Sequence, residues 1–381
     1  MSSLPYWRLS GFYFFYFALL GATAPFFALY FARLGFSPEQ TGVLVAIPML
    51  MRCLAPNLWG WVGDRTGQRL WIVRLGTLCT LLAFLLIFRG QSYAWLALVM
   101  ALHAFFWHAV LPQFEVITFA HLQERPERYS RLRLWGSIGF IAAVSGLGGW
   151  FEQHSLTGWP VVVSLIMTGI VLASWSVPSA RPVPRQQPVS GGFLVQLCQP
   201  GVRPFYLCAA LMQLSHGPYY TFISLYLEQL GYARLTVGLL WSLSVLAEIL
   251  LFLVMGRVLA RFSLRQILLA SALLAALRWL LLGGFGDRLA VLLFAQLLHA
   301  ATFGSFHVAA VNFVQRQFGA GQKGQGQALY ASLSGVGGAL GALYAGYSWN
   351  SLGPGWTFAL ASLTALLAAV IIALRLQEDP A

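Results

Sequence analysis

Arg52, Glu115, Arg133, Glu248 and Arg278 stand within or at the ends of long apolar stretches, and their types define the chemistry open to them. A carboxylate can pair with a guanidinium or take up a proton; a guanidinium can fork a carboxylate with two parallel N–H donors. An ionised side chain near the centre of a bilayer costs several kcal/mol unless it is paired or faces a wet cavity, so each of the five is a functional candidate. The stretch Leu102 to Leu122, LHAFFWHAVLPQFEVITFAHL, adds His103 and His108 to Glu115. His108 and Glu115 are seven positions apart, two helical turns, and share a face, whereas His103 lies about a third of a turn away. Glu115 is therefore expected in a site with His108 as a supporting neighbour, and His103 and the interfacial His121 outside it. Glu115 comes late in one apolar run and Arg133 opens the next, which puts them at similar depth on adjacent helices and able to pair. The rival reading is an ion pair that only neutralises two charges.

The elements that hold these groups are apolar runs. Hydrophobic residues make up 59% of the 381 positions and charged residues 9%, more apolar surface than a soluble core of that size can hide, so the chain belongs in a membrane. A bilayer core of about 30 Å needs about 20 apolar residues per helix. Twelve such runs are expected: Trp7 to Tyr30, Thr41 to Val62, Leu70 to Phe88, Tyr93 to Ala120, Leu132 to Phe151, Trp159 to Val177, Phe205 to Leu227, Val237 to Leu259, Ile267 to Phe285, Leu289 to Val314, Leu329 to Tyr347 and Trp356 to Leu374. The first run lacks a signal-peptide cleavage pattern and is expected to remain as a helix. The net charge of +12 is topological: with the N-terminus inside, seventeen of the 23 basic residues fall on inner loops and ends, four outside and two, Arg52 and Arg278, within runs. That asymmetry places both termini in the cytoplasm and removes the case for a nucleic-acid partner. Cys53, Cys79, Cys198 and Cys208 have neither disulfide nor metal spacing.

Between the sixth and seventh runs lies VPSARPVPRQQPVSGG, read as a flexible cytoplasmic linker. It divides the chain into a first six-helix bundle at 1–178, a linker at 179–203 and a second six-helix bundle at 204–381. The two flanks repeat. Gly35 and Gly231, Gly42 and Gly238, Gly60 and Gly256, Arg65 and Arg261, Arg69 and Arg265, and Tyr30 and Tyr226 are each separated by 196 positions (231 − 35 in the first case). Arg52 and Glu248 share that offset, so the duplication sets opposite charges at equivalent points of two helices, where they could face one another or bind opposite features of a solute. Parallel halves related by an axis along the membrane normal are the architecture of a transporter that rocks about a midplane site.

GWVGDRTGQR, Gly60 to Arg69, resembles the signature of the major facilitator superfamily, through Gly60, Asp64, Arg65, Gly67 and Arg69. The second half keeps Gly256, Arg261 and Arg265, with Ala260 in place of the acid. The glycines allow close helix approach, and the Asp64 carboxylate can meet a helix N-terminus or an arginine, which makes a gate; in the family the partner is the start of helix eleven, here near Gln325 to Leu329. The rival reading is a tight loop obeying the charge rule. FYFFYFALLGATAPFFALYF, YSRLRLWGSIGF, VLAEILLF and LHAATFGSFH further resemble the branch that includes the lactose permease, the nucleoside:proton symporters and the phenylpropionate permeases, the last most of all. The resemblance covers nearly the whole chain and implies an all-α membrane protein with twelve transmembrane helices in two pseudo-symmetric six-helix bundles, the major facilitator fold. It implies that Glu115 and Arg133 are part of the solute site, and it offers Arg278 as an alternative partner for Glu248. His299 matches a helix-ten histidine of the lactose permease, but the acid three residues later is here Thr302, so proton coupling must run through Glu248, Glu115 or a histidine. His216 and His307 are weaker candidates, more often packing groups.

Three arginines against two glutamates leave one positive charge in surplus, which favours an anionic or neutral solute. Aromatic residues, 15% of the chain, could stack an aromatic acid; that substrate rests mainly on the resemblance, with a sugar or nucleoside as runner-up. An enzyme would need a nucleophile with its base or metal ligands at working spacing, and no such motif occurs. A sensor would normally carry a soluble output domain, a channel fits duplicated halves less well, and no nucleotide-binding loop is present. The expectation is a monomeric symporter of a bacterial inner membrane, with a proton as coupling ion and no cofactor or metal. Its partners are a small solute and the lipid bilayer.

Overall fold

The computed structural model of the chain describes residues 4–123, 126–180, 192–319 and 321–376. Its helices are α1 (Tyr6–Thr23), α2 (Phe27–Arg33), α3 (Pro38–Thr66), α4 (Arg69–Leu85), α5 (Tyr93–Leu122), α6 (Tyr129–Gln153), α7 (Trp159–Ser176), α8 (Phe193–Leu197), α9 (Val202–Ser215), α10 (Gly217–Gln229), α11 (Arg234–Arg261), α12 (Leu264–Phe285), α13 (Leu289–His299), α14 (Ser305–Gln317), α15 (Lys323–Ser351) and α16 (Pro354–Arg375). A π-helical turn, Ala300–Gly304, joins α13 to α14, and no strand occurs among the described residues.

Ten of the twelve expected runs are unbroken stretches long and apolar enough to cross a membrane. The first is bent by 42° between α1 and α2, because Pro25 has no N–H to return to the preceding turn and its ring obstructs a straight continuation. The seventh is divided at His216 into α9 and α10, with Pro218 in the first turn of α10. These two departures follow from backbone chemistry that hydropathy does not register.

The chain forms two compact units, Met1–Arg185 with Ala233–Leu239, and Gln186–Tyr232 with Leu240–Ala381. In the first, α1 packs on α6 and α7, α3 on α5, and α4 on α5 and α7. A Cβ at Gly139 would lie 2.8 Å from the carbonyl carbon of Phe14, so α1 and α6 approach backbone to backbone. In the second, α12 packs on α16, α9 on α15 and α16, α10 on α15, and α14 on α12. The middle of the expected linker, 181–191, lies outside the described residues. Its following part is not coil: α8 sets Phe193 against Phe318, ring centroids 5.3 Å apart, and Gln196 donates to the Gln317 carbonyl at 2.6 Å.

The duplication is visible in the hydrogen bonds. Gly35 and Gly231 have φ of 84° and 88°. At the first, Phe36 N–H donates to Phe31 O at 3.1 Å and Gly35 N–H to Ala32 O at 3.0 Å; at the second, Tyr232 donates to Leu227 O and Gly231 to Glu228 O, both at 3.0 Å. Every donor and acceptor is displaced by the same 196 positions as the glycines. Both ends are Schellman stops, which require the left-handed conformation that glycine adopts without a Cβ penalty. Basic residues close other helix ends: Arg8 donates to Ser176 O at 3.1 Å, Arg74 to Val177 O at 3.0 Å and Arg265 to Ala373 O at 2.6 Å, filling carbonyls that a helix C-terminus leaves unpaired.

Candidate functional site

The first unit holds its polar groups along α3, α5 and α6. Glu115 accepts a hydrogen bond from the Tyr129 hydroxyl at 2.9 Å, and that ring stacks on Phe119 at 4.7 Å. Tyr13, edge-on to Tyr129 at 6.3 Å, donates to Thr118 at 3.1 Å. Arg133 lies over the face of Phe17, 3.6 Å from its centroid, and a Cβ at Gly136 would come within 2.8 Å of its Nη1. The expected direct ion pair of Glu115 with Arg133 is not formed: the guanidinium lies near enough to act on the carboxylate's charge, but each group's direct contact is with another side chain. The reason is that both sit near helix ends, where Tyr129, four residues before Arg133, reaches the carboxylate first. An arginine over a ring is stabilised by about 0.5–2 kcal/mol, more as water is excluded.

His108 does not support Glu115. Its Nε2 donates to the Pro48 carbonyl on α3 at 3.1 Å, one turn before Arg52, which is exposed between the helix-interior prolines Pro48 and Pro56. His103 is buried between aromatic neighbours, Phe84 at 5.5 Å and Trp107 at 6.3 Å. His121 binds the Pro178 carbonyl at 3.1 Å.

At the expected gating motif, Gly67 ends α3 with φ 69°, which turns the chain so that Arg69 pairs with Asp64. The same guanidinium also donates to Gln113 of α5. A Cβ at Gly63 would sit 2.6 Å from the Gln113 amide oxygen, so this glycine makes room for the contact. Asp64 thus takes the arginine among the partners expected for it. Gln113, 2% exposed, went unnoticed in the sequence; its signal was an amide in an otherwise apolar helix.

In the second unit Arg278 is wholly buried, 0% exposed. Its Nε donates to the Ala295 carbonyl at 2.8 Å, one Nη1 hydrogen to His299 Nδ1 at 3.0 Å and the other to Thr302 Oγ1 at 3.4 Å, and Nη2 to Gln296 Oε1 at 3.4 Å. Its plane lies over Tyr219 at 4.2 Å and Trp279 at 4.7 Å. The alternative pairing of Arg278 with Glu248 is therefore not adopted; neutral groups fill the fork. Gln296, 1% exposed, is the hub: its Oε1 also accepts from Tyr219 Oη at 2.8 Å and from Ser244 Oγ. Tyr219 and Gln296 were both missed, because attention to charge passes over a lone amide in LAVLLFAQLLH.

The π-helical turn supplies Thr302 to this cluster and places Gly304 against Glu248, where a Cβ would lie 3.2 Å from Cγ of the glutamate. Single π turns accompany functional positions in helices more often than chance. His299 stacks on Phe303 at 5.3 Å and on Tyr219 at 5.7 Å. His216 binds the Met212 carbonyl at 2.7 Å, and His307 the Tyr330 hydroxyl at 3.2 Å. Among the described residues no group of three or more metal-type ligands is present.

A family model described as "MFS_1 like family" matches residues 6–360. Among curated proteins, the chain is 30% identical over 364 residues to "Probable 3-phenylpropionic acid transporter" of Escherichia coli (strain K12), covering 93% of this chain and 94% of that protein. It is 26% identical over 279 residues to "Maltose permease" of Geobacillus stearothermophilus, covering 71% and 68%. Among solved structures, the nucleoside transporter NupG superposes with a TM-score of 0.80 at 18% identity, covering 96% of this chain and 97% of that one. The peptide transporter POT in complex with sulfate gives 0.80 at 13% identity, covering 96% and 93%. These likenesses bear on fold.

Proposed function

This chain belongs to the MFS_1 like family and is a multi-pass membrane transporter of the major facilitator type, and from that premise we propose that it carries a small aromatic carboxylate, such as 3-phenylpropionate, together with a proton. The setting is a bacterial inner membrane with both termini cytoplasmic, and the acting unit is a monomer working by alternating access. The observation that carries the substrate class is Arg278, a buried positive charge bonded only to neutral groups and walled by Tyr219 and Trp279. A fixed cation among aromatic rings suits a solute with a carboxylate at one end and a ring at the other. The relative described as a probable 3-phenylpropionic acid transporter supports the same class. Arg52 and Arg133 add to the attraction for an anion, and Glu115 and Glu248 are the proton carriers, the family's acid being replaced by Thr302.

A sugar or nucleoside is the second reading. The amide and hydroxyl groups of Gln296, Tyr219 and Ser244 favour it, since a polyol is recognised by such donors and acceptors.

Uptake of radiolabelled 3-phenylpropionate into proteoliposomes, with and without an inward proton gradient, tests both. Gradient-driven uptake by wild type, lost in Glu248→Gln and in Arg133→Ala, is the expected result. No uptake by folded wild type removes the aromatic acid and brings labelled sugars and nucleosides forward as the next probes.

A further inference from the structure

Two further guanidiniums meet at the surface of the first unit, outside the groups considered so far. A cleft of about 390 Å³ is lined by Leu4, Tyr6, Arg128 and Arg131. Leu4 and Tyr6 lead into α1, and Arg128 and Arg131 flank the start of α6, the helix on which α1 packs. Both arginines are exposed, and neither makes a hydrogen bond, ion pair or ring contact among the described residues. Their neighbours are engaged: Arg8 donates to the Ser176 carbonyl and Arg133 covers Phe17. Residues three apart at a helix surface have Cβ atoms about 5–6 Å from one another. Two guanidiniums so close repel, and an anion set between them turns that repulsion into attraction.

The third donor is Tyr6. Its hydroxyl lies 3.1 Å from the indole Nε1 of Trp135. An indole only donates, so the hydroxyl oxygen is the acceptor, and its own hydrogen has no acceptor among the described residues. No acidic side chain lines the cleft; Glu127, next to Arg128 in sequence, is not among its walls. Trp7, exposed, sets its ring edge-on to Trp135 at 5.6 Å. A tryptophan left open at the end of a membrane span marks the depth of lipid headgroups. Beyond Arg131 the same face of α6 turns apolar, because Leu134 and Ile138, three and seven positions on, are both exposed. The donors therefore continue into a strip suited to hydrocarbon.

We propose that this cleft binds one anionic glycerophospholipid, its phosphate held between Arg128 and Arg131 with the Tyr6 hydroxyl donating to it, and an acyl chain lying along Leu134 and Ile138. The proposal rests on the chain's being a membrane protein and is independent of the solute it carries. Charge and shape together select the occupant. A free phosphate would use the arginines and leave the apolar strip bare; a zwitterionic lipid would use the strip and bring an ammonium against two guanidiniums. An anionic lipid satisfies both ends. The first turn of α6 has no side-chain cap and no acidic residue, so its N–H groups add positive potential at the same end. Contacting the entry to α1 and the start of α6 at once, the lipid ties two packed helices together and stabilises the folded protein.

The test uses the full chain purified in detergent, with phosphatidylglycerol, phosphatidylethanolamine and inorganic phosphate as probes. Native mass spectrometry counts bound lipid, and the thermal midpoint reads stabilisation. Wild type should retain phosphatidylglycerol over phosphatidylethanolamine by about tenfold or more, and its midpoint should rise with the former alone. An equal rise with inorganic phosphate would make the cleft a free-anion site and overturn the lipid; equal retention of the two lipids would overturn the charge selection. Arg128→Gln combined with Arg131→Gln should weaken retention by about fivefold for each arginine removed, and Tyr6→Phe by a smaller factor. Arg257→Gln combined with Arg375→Gln makes the same change of charge at two other exposed side chains and should leave retention as in wild type. An equal loss in that control would show general attraction to a basic surface and sink the site.

Where the arginine variants do not fold, wild type alone decides. Phosphatidylglycerol carrying a photoreactive group on an acyl chain, crosslinked in proteoliposomes and mapped by peptide mass, should label the first turn of α1 and the stretch of α6 that holds Leu134 and Ile138. Unlabelled phosphatidylglycerol should compete for that labelling and phosphatidylethanolamine should not. Labelling spread evenly over the exposed faces of the spans, or concentrated away from these two helices, overturns the proposal.

Discussion

Replacing Gln296 by leucine removes one oxygen on which three donors converge: Tyr219 Oη at 2.8 Å, Arg278 Nη2 at 3.4 Å and Ser244 Oγ. Ser244 has a second acceptor in the Leu240 carbonyl at 3.2 Å and loses little. The Tyr219 hydroxyl keeps only Ser244, at 3.4 Å, and Arg278 keeps Ala295, His299 and Thr302. Leaving a buried hydroxyl poorly paired costs about 1–3 kcal/mol, and weakening the solvation of a buried cation costs a similar amount. Leucine fills a similar volume and gains a methylene's worth of transfer, about 0.8 kcal/mol. The expected net loss is about 2–4 kcal/mol. Tyr219→Phe alone removes the donor together with the need for it and should cost about 1 kcal/mol. In the double variant the stranded hydroxyl is absent, so the two losses should fall short of additivity by about 1 kcal/mol or more. Reversible denaturant titration of the purified protein in detergent measures all four corners of this cycle. Strict additivity, or a Gln296→Leu variant as stable as wild type, would refute the hub.

Gly139→Ala and Gly146→Ala form a matched pair on α6. The first drives a Cβ onto the Phe14 backbone and should cost about 1–3 kcal/mol or abolish folding, while the second meets nothing within 4 Å and should be neutral or stabilising by up to about 1 kcal/mol; the same titration reads both. Asp64→Asn breaks a pair whose carboxylate side chain is 65% exposed, so stability should change by less than about 1 kcal/mol while uptake falls at least tenfold; a proportionate loss of stability would make the motif a structural turn. Tyr129→Phe removes the hydroxyl on Glu115 and should lower uptake severalfold with folding intact, and wild-type uptake would separate Glu115 from the site. Gly231→Ala should lower the denaturation midpoint by an amount equal to about 1–2 kcal/mol, because its φ of 88° suits no L side chain, and Gly35→Ala should match it if the two Schellman stops are equivalent.

The order of runs, the duplication and the charged residues could be read without coordinates because each has a one-dimensional signal: length of apolar stretch, constant offset, isolated charge. Pro25 and Gly217–Pro218 were equally visible, yet a hydropathy window averages over them, so the bend in the first run and the division of the seventh went unforeseen. The pairings failed for a different reason. Depth along a helix was legible for Glu115 and Arg133, but a pair also needs facing rotamers, and a neutral hydroxyl four residues from Arg133 competes on equal terms for the carboxylate. The same holds at Arg278, whose partners are an amide, a hydroxyl, an imidazole and a main-chain carbonyl, none of which stands out in a list of charges.

That last substitution of partners alters what the buried arginine can do. A guanidinium paired to a fixed carboxylate is a neutral object and exerts little pull on a distant anion. Held instead by dipoles and ring faces, Arg278 remains a net positive charge, and the cost of keeping it in a membrane protein is met by about 0.5–2 kcal/mol from each ring it covers and by the hydrogen bonds to neutral groups. An anionic solute would add the Coulombic attraction that the resting protein lacks, so the binding of substrate and the stability of this unit should rise together. A ligand that binds only the folded protein stabilises it by an amount set by its concentration relative to Kd, about 2.7 kcal/mol at a hundredfold excess. Saturating 3-phenylpropionate should therefore raise the thermal midpoint of wild type, and in Thr302→Glu, where a fixed carboxylate already cancels Arg278, the same concentration should raise it far less. An equal rise in both proteins would show that the charge of Arg278 is not what the anion meets.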